Sequence, residues 1–228
     1  MAAGAAGLAM SAPARIAVLA SGRGSNLQCL LDGIAAGQLH ACIAGVFSDK
    51  PGAAALDKVA PALRWARSPR DYPDREAFDA ALGDAVAACA PDWIVCAGYM
   101  RILGAGFVQR FAGRLVNIHP SLLPLHKGLH THARAIEAGD AEHGASVHFV
   151  VPELDAGAVI AQARVPVLAG DDASTLAARV LAVEHPLLRA TVRLLVEGRV
   201  AERDGTVLLD GQSLFRPLRL DSAGTLQP

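Results

Sequence analysis

The chain has 228 residues, 52% of them hydrophobic, enough to bury one large core or two small ones. A formal net charge of -1 and a pI near 6.7 exclude the basic balance of a protein that grips nucleic acid along a broad face. No stretch offers the roughly eighteen uncharged apolar residues of a membrane helix. The four cysteines, Cys29, Cys42, Cys89 and Cys96, show no Cys-x-x-Cys spacing and sit in apolar segments. Small-molecule substrates and a reducing, cytoplasmic setting fit this profile.

Residues 1–14 are rich in Ala and Gly, and no positive segment precedes their short apolar run, so a disordered extension rather than a secretory signal is expected. The run Arg15-Ile-Ala-Val-Leu-Ala20 then reads as a strand. It meets the glycine turn Ser21-Gly22-Arg23-Gly24-Ser25-Asn26, and Leu27, Leu30, Leu31 and Ile34 follow at helical spacing. Cys42 to Phe47 is a second strand, a helix is predicted around Arg75 to Ala88, and Asp92 to Ala97 repeats the strand pattern. Strands alternating with helices predict an α/β, Rossmann-like, doubly wound and mostly parallel sheet.

From Arg114 the connections shorten. Arg114 to His119, Ala145 to Val150 and Val159 to Val165 read as strands, the last two as antiparallel neighbours. A long helix is expected from Ser174, taken as its cap, to the Glu197-Gly198 stop, kinked or split at Pro186. Val200 and Val207 to Leu209, joined through Asp204-Gly205, predict a hairpin, and periodicity is lost beyond Phe215. With no internal repeat and no Pro/Gly/Ser-rich linker, the chain reads as a single domain over 15–212. Its halves are about 15–110 (phosphate-binding) and 111–212 (catalytic), followed by a tail at 213–228.

Three segments carry chemistry. The glycine turn lets the backbone approach a ligand, and the helix starting there aims unpaired N–H groups and a partial positive charge at it, which suits an anion. Leu27 stands where a dinucleotide fingerprint wants its third glycine, so one phosphate monoester fits better than a nicotinamide pyrophosphate. An ordinary capped strand-to-helix turn reads the same way. Asn117-Ile118-His119-Pro120 closes an apolar strand: period-two alternation puts Asn117 and His119 on one face, and Pro120 ends the strand at a ligand-binding edge. Amide and imidazole donors there can converge on a developing oxyanion, though a strand end capping backbone groups has the same sequence. In Pro152-Glu153-Leu154-Asp155-Ala156-Gly157 a carboxylate is offered by a turn. It can orient and charge-stabilise His119, or simply be solvated. Six of the eight histidines fall between His119 and His148, but His130-Thr131-His132 lacks the partners of a zinc site, and no metal is expected.

Taken in order, SGRGSNLQ, AGYMRIL (Ala97 to Leu103), NIHPSLLP, GLHTH (Gly128 to His132), EHGASVHFV and ELDAGAVIAQ resemble the glycinamide ribonucleotide formyltransferase family of the formyltransferase-hydrolase superfamily, over about 15–212. NIHPSLLP and the Asp loop belong to the wider superfamily, while SGRGSNLQ and GLHTH narrow it. The resemblance implies formyl transfer from the co-substrate 10-formyltetrahydrofolate to glycinamide ribonucleotide, without metal or nicotinamide, in a monomer or homodimer. It implies Asn117, His119 and Asp155 as catalytic residues, and Gly24, Ser25, Asn26 and Glu184 as ribonucleotide contacts. Arg75, Met100, Arg101, Ile102, Leu103 and Asn117 fall at folate-binding positions. Leu125-His126-Lys127 departs from the Lys-Tyr-Pro-like run more usual in the family, and the N-terminal extension is a second departure. Neither departure falls on the catalytic three.

Overall fold

A computed structural model describes residues 12–228, so the expected extension lies outside the described residues apart from its last three, of which Ala14 opens the first strand. Strands β1 (Ala14–Leu19), β2 (Ala41–Ser48), β3 (Arg64–Ala66), β4 (Trp93–Cys96) and β5 (Leu115–His119) pair in parallel in the order β3-β2-β1-β4-β5. Strands β6 (Glu142–Phe149) and β7 (Val159–Pro166) continue this sheet antiparallel, and the β6–β7 pairing is the one that their short connection predicted. The strand order reverses between β1 and β4, which is the switch point where open α/β sheets leave a crevice beyond their strand ends.

Both faces of the sheet are covered. On β1, Ile16 and Val18 enter a core shared with helices α1 (Ser25–Ala35) and α5 (Ala173–Val196), while Ala17 and Leu19 enter a second core with α2 (Arg75–Ala88) and α3 (Ala105–Arg110). Double burial explains why β1 reads as a continuous apolar run rather than an alternating one. A short helix, α4 (Thr131–Glu137), packs against α5.

Helix α5 departs from expectation at two points. Its cap is Asp172, in a reciprocal capping box with Thr175, and not Ser174. Nor does Pro186 split it: one helix runs through from Ala173 to Val196, with Leu187 and Leu188 fully buried beside the proline. Packing of that face offsets the single backbone hydrogen bond that proline removes.

The hairpin β8 (Val200–Arg203) and β9 (Thr206–Leu209) forms through Asp204-Gly205, and β10 (Gln212–Ser213) extends it to three strands. The aperiodic tail supplies structure as well. Strand β11 (Leu218–Leu220) pairs parallel to β7 and β12 (Leu226–Gln227) pairs with β11, so the tail completes the main sheet as its edge. Two- and three-residue strands are too short to leave a sequence period.

Replacing Leu218, which is 1% exposed, with Ala should cost about 2–4 kcal/mol in urea unfolding, whereas a solvated tail would give almost no change. A second expectation concerns acid. Burial holds the His143 imidazole down at about 4, helped by the neighbouring His132 and His126 rings, and burial also lowers His148. The unfolded chain therefore binds protons near pH 6.5 that the folded chain refuses, so stability is full above about 6.5 and declines as pH falls towards 4. His143→Gln should flatten the slope of unfolding free energy against pH in that window by up to one proton. An unchanged slope would show that this ring does not couple folding to acid.

Candidate active site

The crevice is built where the sheet reverses. Ser21, just past β1, donates its N–H to the Gly98 carbonyl (3.0 Å) and its hydroxyl to Asp49 Oδ1 (2.5 Å), and its Oγ accepts the Met100 N–H (3.0 Å). These bonds stitch the turn after β1 to the segments that follow β4 and β2. Beside them opens a cavity of ≈ 570 Å³, a size typical of small-molecule sites. Asn117, His119 and Asp155 line it together with Glu184 and the Met100–Leu103 segment. Its mouth is apolar, with Met100 59%, Ile102 52% and Leu129 60% exposed.

Asn117 and His119 sit at the carboxyl end of β5, and the antiparallel register sets His148 opposite Asn117 and Ser146 opposite His119. The Phe149 carbonyl can only accept, so His148 Nδ1, 2.7 Å away, carries the hydrogen and donates. With its pKa lowered by burial, the ring is neutral and Nε2 holds a lone pair. Asn117 Nδ2, 3.1 Å from Nε2, donates to it, which fixes which end of the amide is NH₂. The second amide hydrogen remains for the cavity.

The same logic applies to His119, which is 6% exposed. Its Nε2 lies 3.1 Å from the His126 carbonyl and must donate to it. That leaves Nδ1 facing Asp155 Oδ2 at 3.6 Å, too long for a direct hydrogen bond but close enough for a charged pair. Asp155 is held by the Gly128 N–H (2.8 Å to Oδ2), and its Oδ1 stands 3.6 Å from His148 Nε2. Its backbone is left-handed, φ 46°, which Asp tolerates. Two residues on, Gly157 is obligatory: a Cβ there would lie 1.9 Å from the Phe149 carbonyl oxygen.

The glycine turn is close to this cavity without lining it. Gly24 is the N-cap of α1 at φ 74°, and a Cβ on it would come 2.7 Å from Ala55 Cβ, so only glycine fits. No side chain caps α1, which leaves the N–H groups of its first turn directed outward. Asn26 spends its amide on Glu184, Nδ2 to Oε1 at 2.6 Å, tying the turn to α5 and to the cavity wall. Burial raises the Glu184 carboxyl, partly countered by the Asn26 bond, and Asn26 Oδ1 has no partner among the described residues.

Arg75 also stands off the cavity lining. It donates from Nη2 to the Ile102 carbonyl (2.7 Å), and Asp79 Oδ2 accepts the Gly104 N–H (2.8 Å). Asp79 lies 3.6 Å from Arg75 Nε and 3.8 Å from Arg101 Nε, whose guanidinium covers the Phe78 ring at 5.0 Å. Arg75 and Asp79 thus brace the Met100–Leu103 segment from behind.

The sequence alone singled out His119 among the clustered histidines and gave His148 no role. No local signal could have found it, since its place depends on cross-strand register. Three others pair within the protein: His132 Nδ1 lies 3.2 Å from His143 Nε2, and His126 Nε2 lies 2.6 Å from Asp140 Oδ2. Among the described residues no group of three or more His, Cys, Asp or Glu could hold a metal ion. Cys96 lines the cavity, yet burial pushes its thiol up to about 12, which disqualifies it as a nucleophile at neutral pH. All four cysteines are free, and among the described residues no helix is long and apolar enough to cross a membrane.

Comparison with known proteins agrees with this arrangement. The formyl transferase family model matches residues 14–192. The phosphoribosylglycinamide formyltransferase of Escherichia coli K12 is 45% identical over 201 residues, covering 87% of this chain and 95% of that protein. The Haemophilus influenzae protein of the same name is 43% identical over 206 residues, covering 88% and 95%. Among solved structures, the phosphoribosylglycinamide formyltransferase of Coxiella burnetii superposes with a TM-score of 0.83 at 40% identity, covering 89% of this chain and 96% of that one. The chain therefore belongs to the formyl transferase family, among its phosphoribosylglycinamide formyltransferases.

Proposed function

We propose that the protein transfers the formyl group of 10-formyltetrahydrofolate to the amine of glycinamide ribonucleotide, giving formylglycinamide ribonucleotide and tetrahydrofolate in de novo purine synthesis in the cytoplasm. The observation that carries this reading is the convergence of Asn117, His119 and Asp155 on one cavity whose wall includes Glu184, itself bonded to Asn26 of the glycine turn. The uncapped start of α1, with Gly24, Ser25 and Asn26, receives the phosphate. Glu184 receives the glycinamide end. Met100, Arg101, Ile102 and Leu103 present an apolar edge with backbone groups, suited to a flat pterin, and Arg75 supports that edge through the Ile102 carbonyl.

In the reaction the amine nitrogen bonds to the formyl carbon, the bond from that carbon to the folate nitrogen breaks, and the proton lost by the amine ends on the folate nitrogen. Between these events the formyl oxygen carries negative charge. The free Asn117 N–H and protonated His119 Nδ1 stabilise it, and Asp155 stabilises the imidazolium without taking its proton. Because Nε2 is committed to the His126 carbonyl, Nδ1 is the nitrogen that works. Holding both substrates side by side supplies the remaining acceleration. No step calls on a metal or a nicotinamide.

His119→Ala and Asp155→Asn should each lower turnover about 100-fold or more with the KM for the ribonucleotide little changed, the pattern of groups that act in the transition state. Near-normal turnover in either variant would remove that residue from the mechanism. Ser25→Asp, which sets a carboxylate against the phosphate, should instead raise the KM for the ribonucleotide more than tenfold. An unchanged KM would move the phosphate elsewhere. Following tetrahydrofolate release with glycinamide ribonucleotide present or absent separates transfer from hydrolysis of the donor, the alternative open to a superfamily cousin.

A further inference from the structure

The Leu125-His126-Lys127 run, where this chain leaves the usual family pattern, meets the catalytic group after all. His126 is joined to His119 by its backbone and to Asp140 by its side chain. Its carbonyl accepts the His119 Nε2 hydrogen (3.1 Å), and its own Nε2 lies 2.6 Å from Asp140 Oδ2, a short hydrogen bond to a carboxyl oxygen. Both side chains of that pair are largely shielded, at 12% and 26% exposure. The backbone at His126 is left-handed, φ 52°, a conformation that a non-glycine residue holds only where its surroundings impose it.

The neighbours are fixed by other means. Leu125 offers its carbonyl to Ser121 Oγ (2.7 Å), Lys127 offers its carbonyl to Arg134 Nη1 (2.6 Å), and the Gly128 N–H reaches Asp155. Between these anchors the direction of the His126 carbonyl depends on its own peptide, and the side-chain bond to Asp140 holds that peptide. Asp140 follows α4 and its N–H bonds the Ala135 carbonyl, so the pull comes from a helix end rather than from a free loop. The buried His143 ring, 5.9 Å away and edge-on, closes the other side.

We infer that His126, braced by Asp140, is a positioning residue for this chain's reaction: it aims a backbone carbonyl that fixes the His119 ring and so turns Nδ1 towards the reacting atoms. The inference rests on the proposed role of His119. Asp140→His126→His119 is then a relay of geometry and involves no proton transfer. A carbonyl at Nε2 also selects the tautomer, because an acceptor there keeps the hydrogen on Nε2 and leaves Nδ1 as the site that gains and loses a proton.

The test is a kinetic cycle on the full-length enzyme. His126→Phe keeps a ring and removes the donor, and Asp140→Ala removes the acceptor from the opposite side. Each should lower kcat about tenfold or more while KM for both substrates stays within about twofold, since the ring is misaimed but neither substrate contact is touched. The double variant should be no worse than the poorer single one, as expected for two groups acting as a unit. In a His119→Ala background, adding His126→Phe should leave the residual rate unchanged. A further fall there as large as in the parent enzyme, or a normal kcat in both single variants that melt at the parent temperature, would overturn the inference. Should His119→Ala itself keep normal turnover, the fault would lie in the proposed function and not in this relay. If His126→Phe fails to fold, Asp140→Ala with and without His119→Ala carries the same comparison.

Discussion

A carbonyl oxygen can accept a hydrogen bond and never donate one, and two such oxygens set the protonation pattern of the whole site. Phe149 takes the hydrogen of His148 Nδ1, so His148 Nε2 must accept, so Asn117 must present its NH₂. The His126 carbonyl takes the hydrogen of His119 Nε2, so Nδ1 is left to face Asp155. Had either oxygen been a donor, the amide would present its oxygen to the cavity, or the imidazole its other nitrogen to Asp155. Electrostatic stabilisation depends on donors already aimed when charge develops, and here the aim is built into the backbone.

These carbonyls are where they are because the sheet changes direction. The five parallel strands open a crevice between the ends of β1 and β4, and the switch to antiparallel pairing at β5/β6 brings His148 across from Asn117. A parallel β6 would offer a different register and a different neighbour. The same two strands set Ser146 opposite His119. Its hydroxyl donates to the Ser121 carbonyl and accepts the Leu123 N–H, and Gln162 on β7 donates to the Leu123 carbonyl. The loop leaving β5 is thereby held from below by a buried polar network in which each of these bonds is satisfied, which confers rigidity rather than apolar stability.

Around this rigid polar interior the cavity mouth is soft and apolar. Met100, Ile102 and Leu129 stand more than half exposed, which is unfavourable in water and suits a ligand with a flat aromatic face. Behind them, Arg75 and Asp79 hold the segment by its backbone, so the apolar side chains stay presented instead of collapsing onto the sheet.

The sequence by itself determined the parallel strands, the glycine turn, the strand-end pair Asn117 and His119, and the acidic turn at Asp155. Each rests on local rules: alternation, a Cβ-free turn, a proline stop. Through the family resemblance it also pointed to Glu184 and the Met100–Leu103 segment. Register, by contrast, is a relation between distant residues, so only the tertiary structure decided that His148 orients Asn117 and that Arg75 braces a segment from outside the cavity. It alone decided that Asp172 caps α5 and that the tail beyond Phe215 closes the sheet. It also decided that a departure read as lying off the three residues proposed as catalytic, His126, touches His119, because a backbone carbonyl carries no residue identity and its direction is set only when the chain has packed.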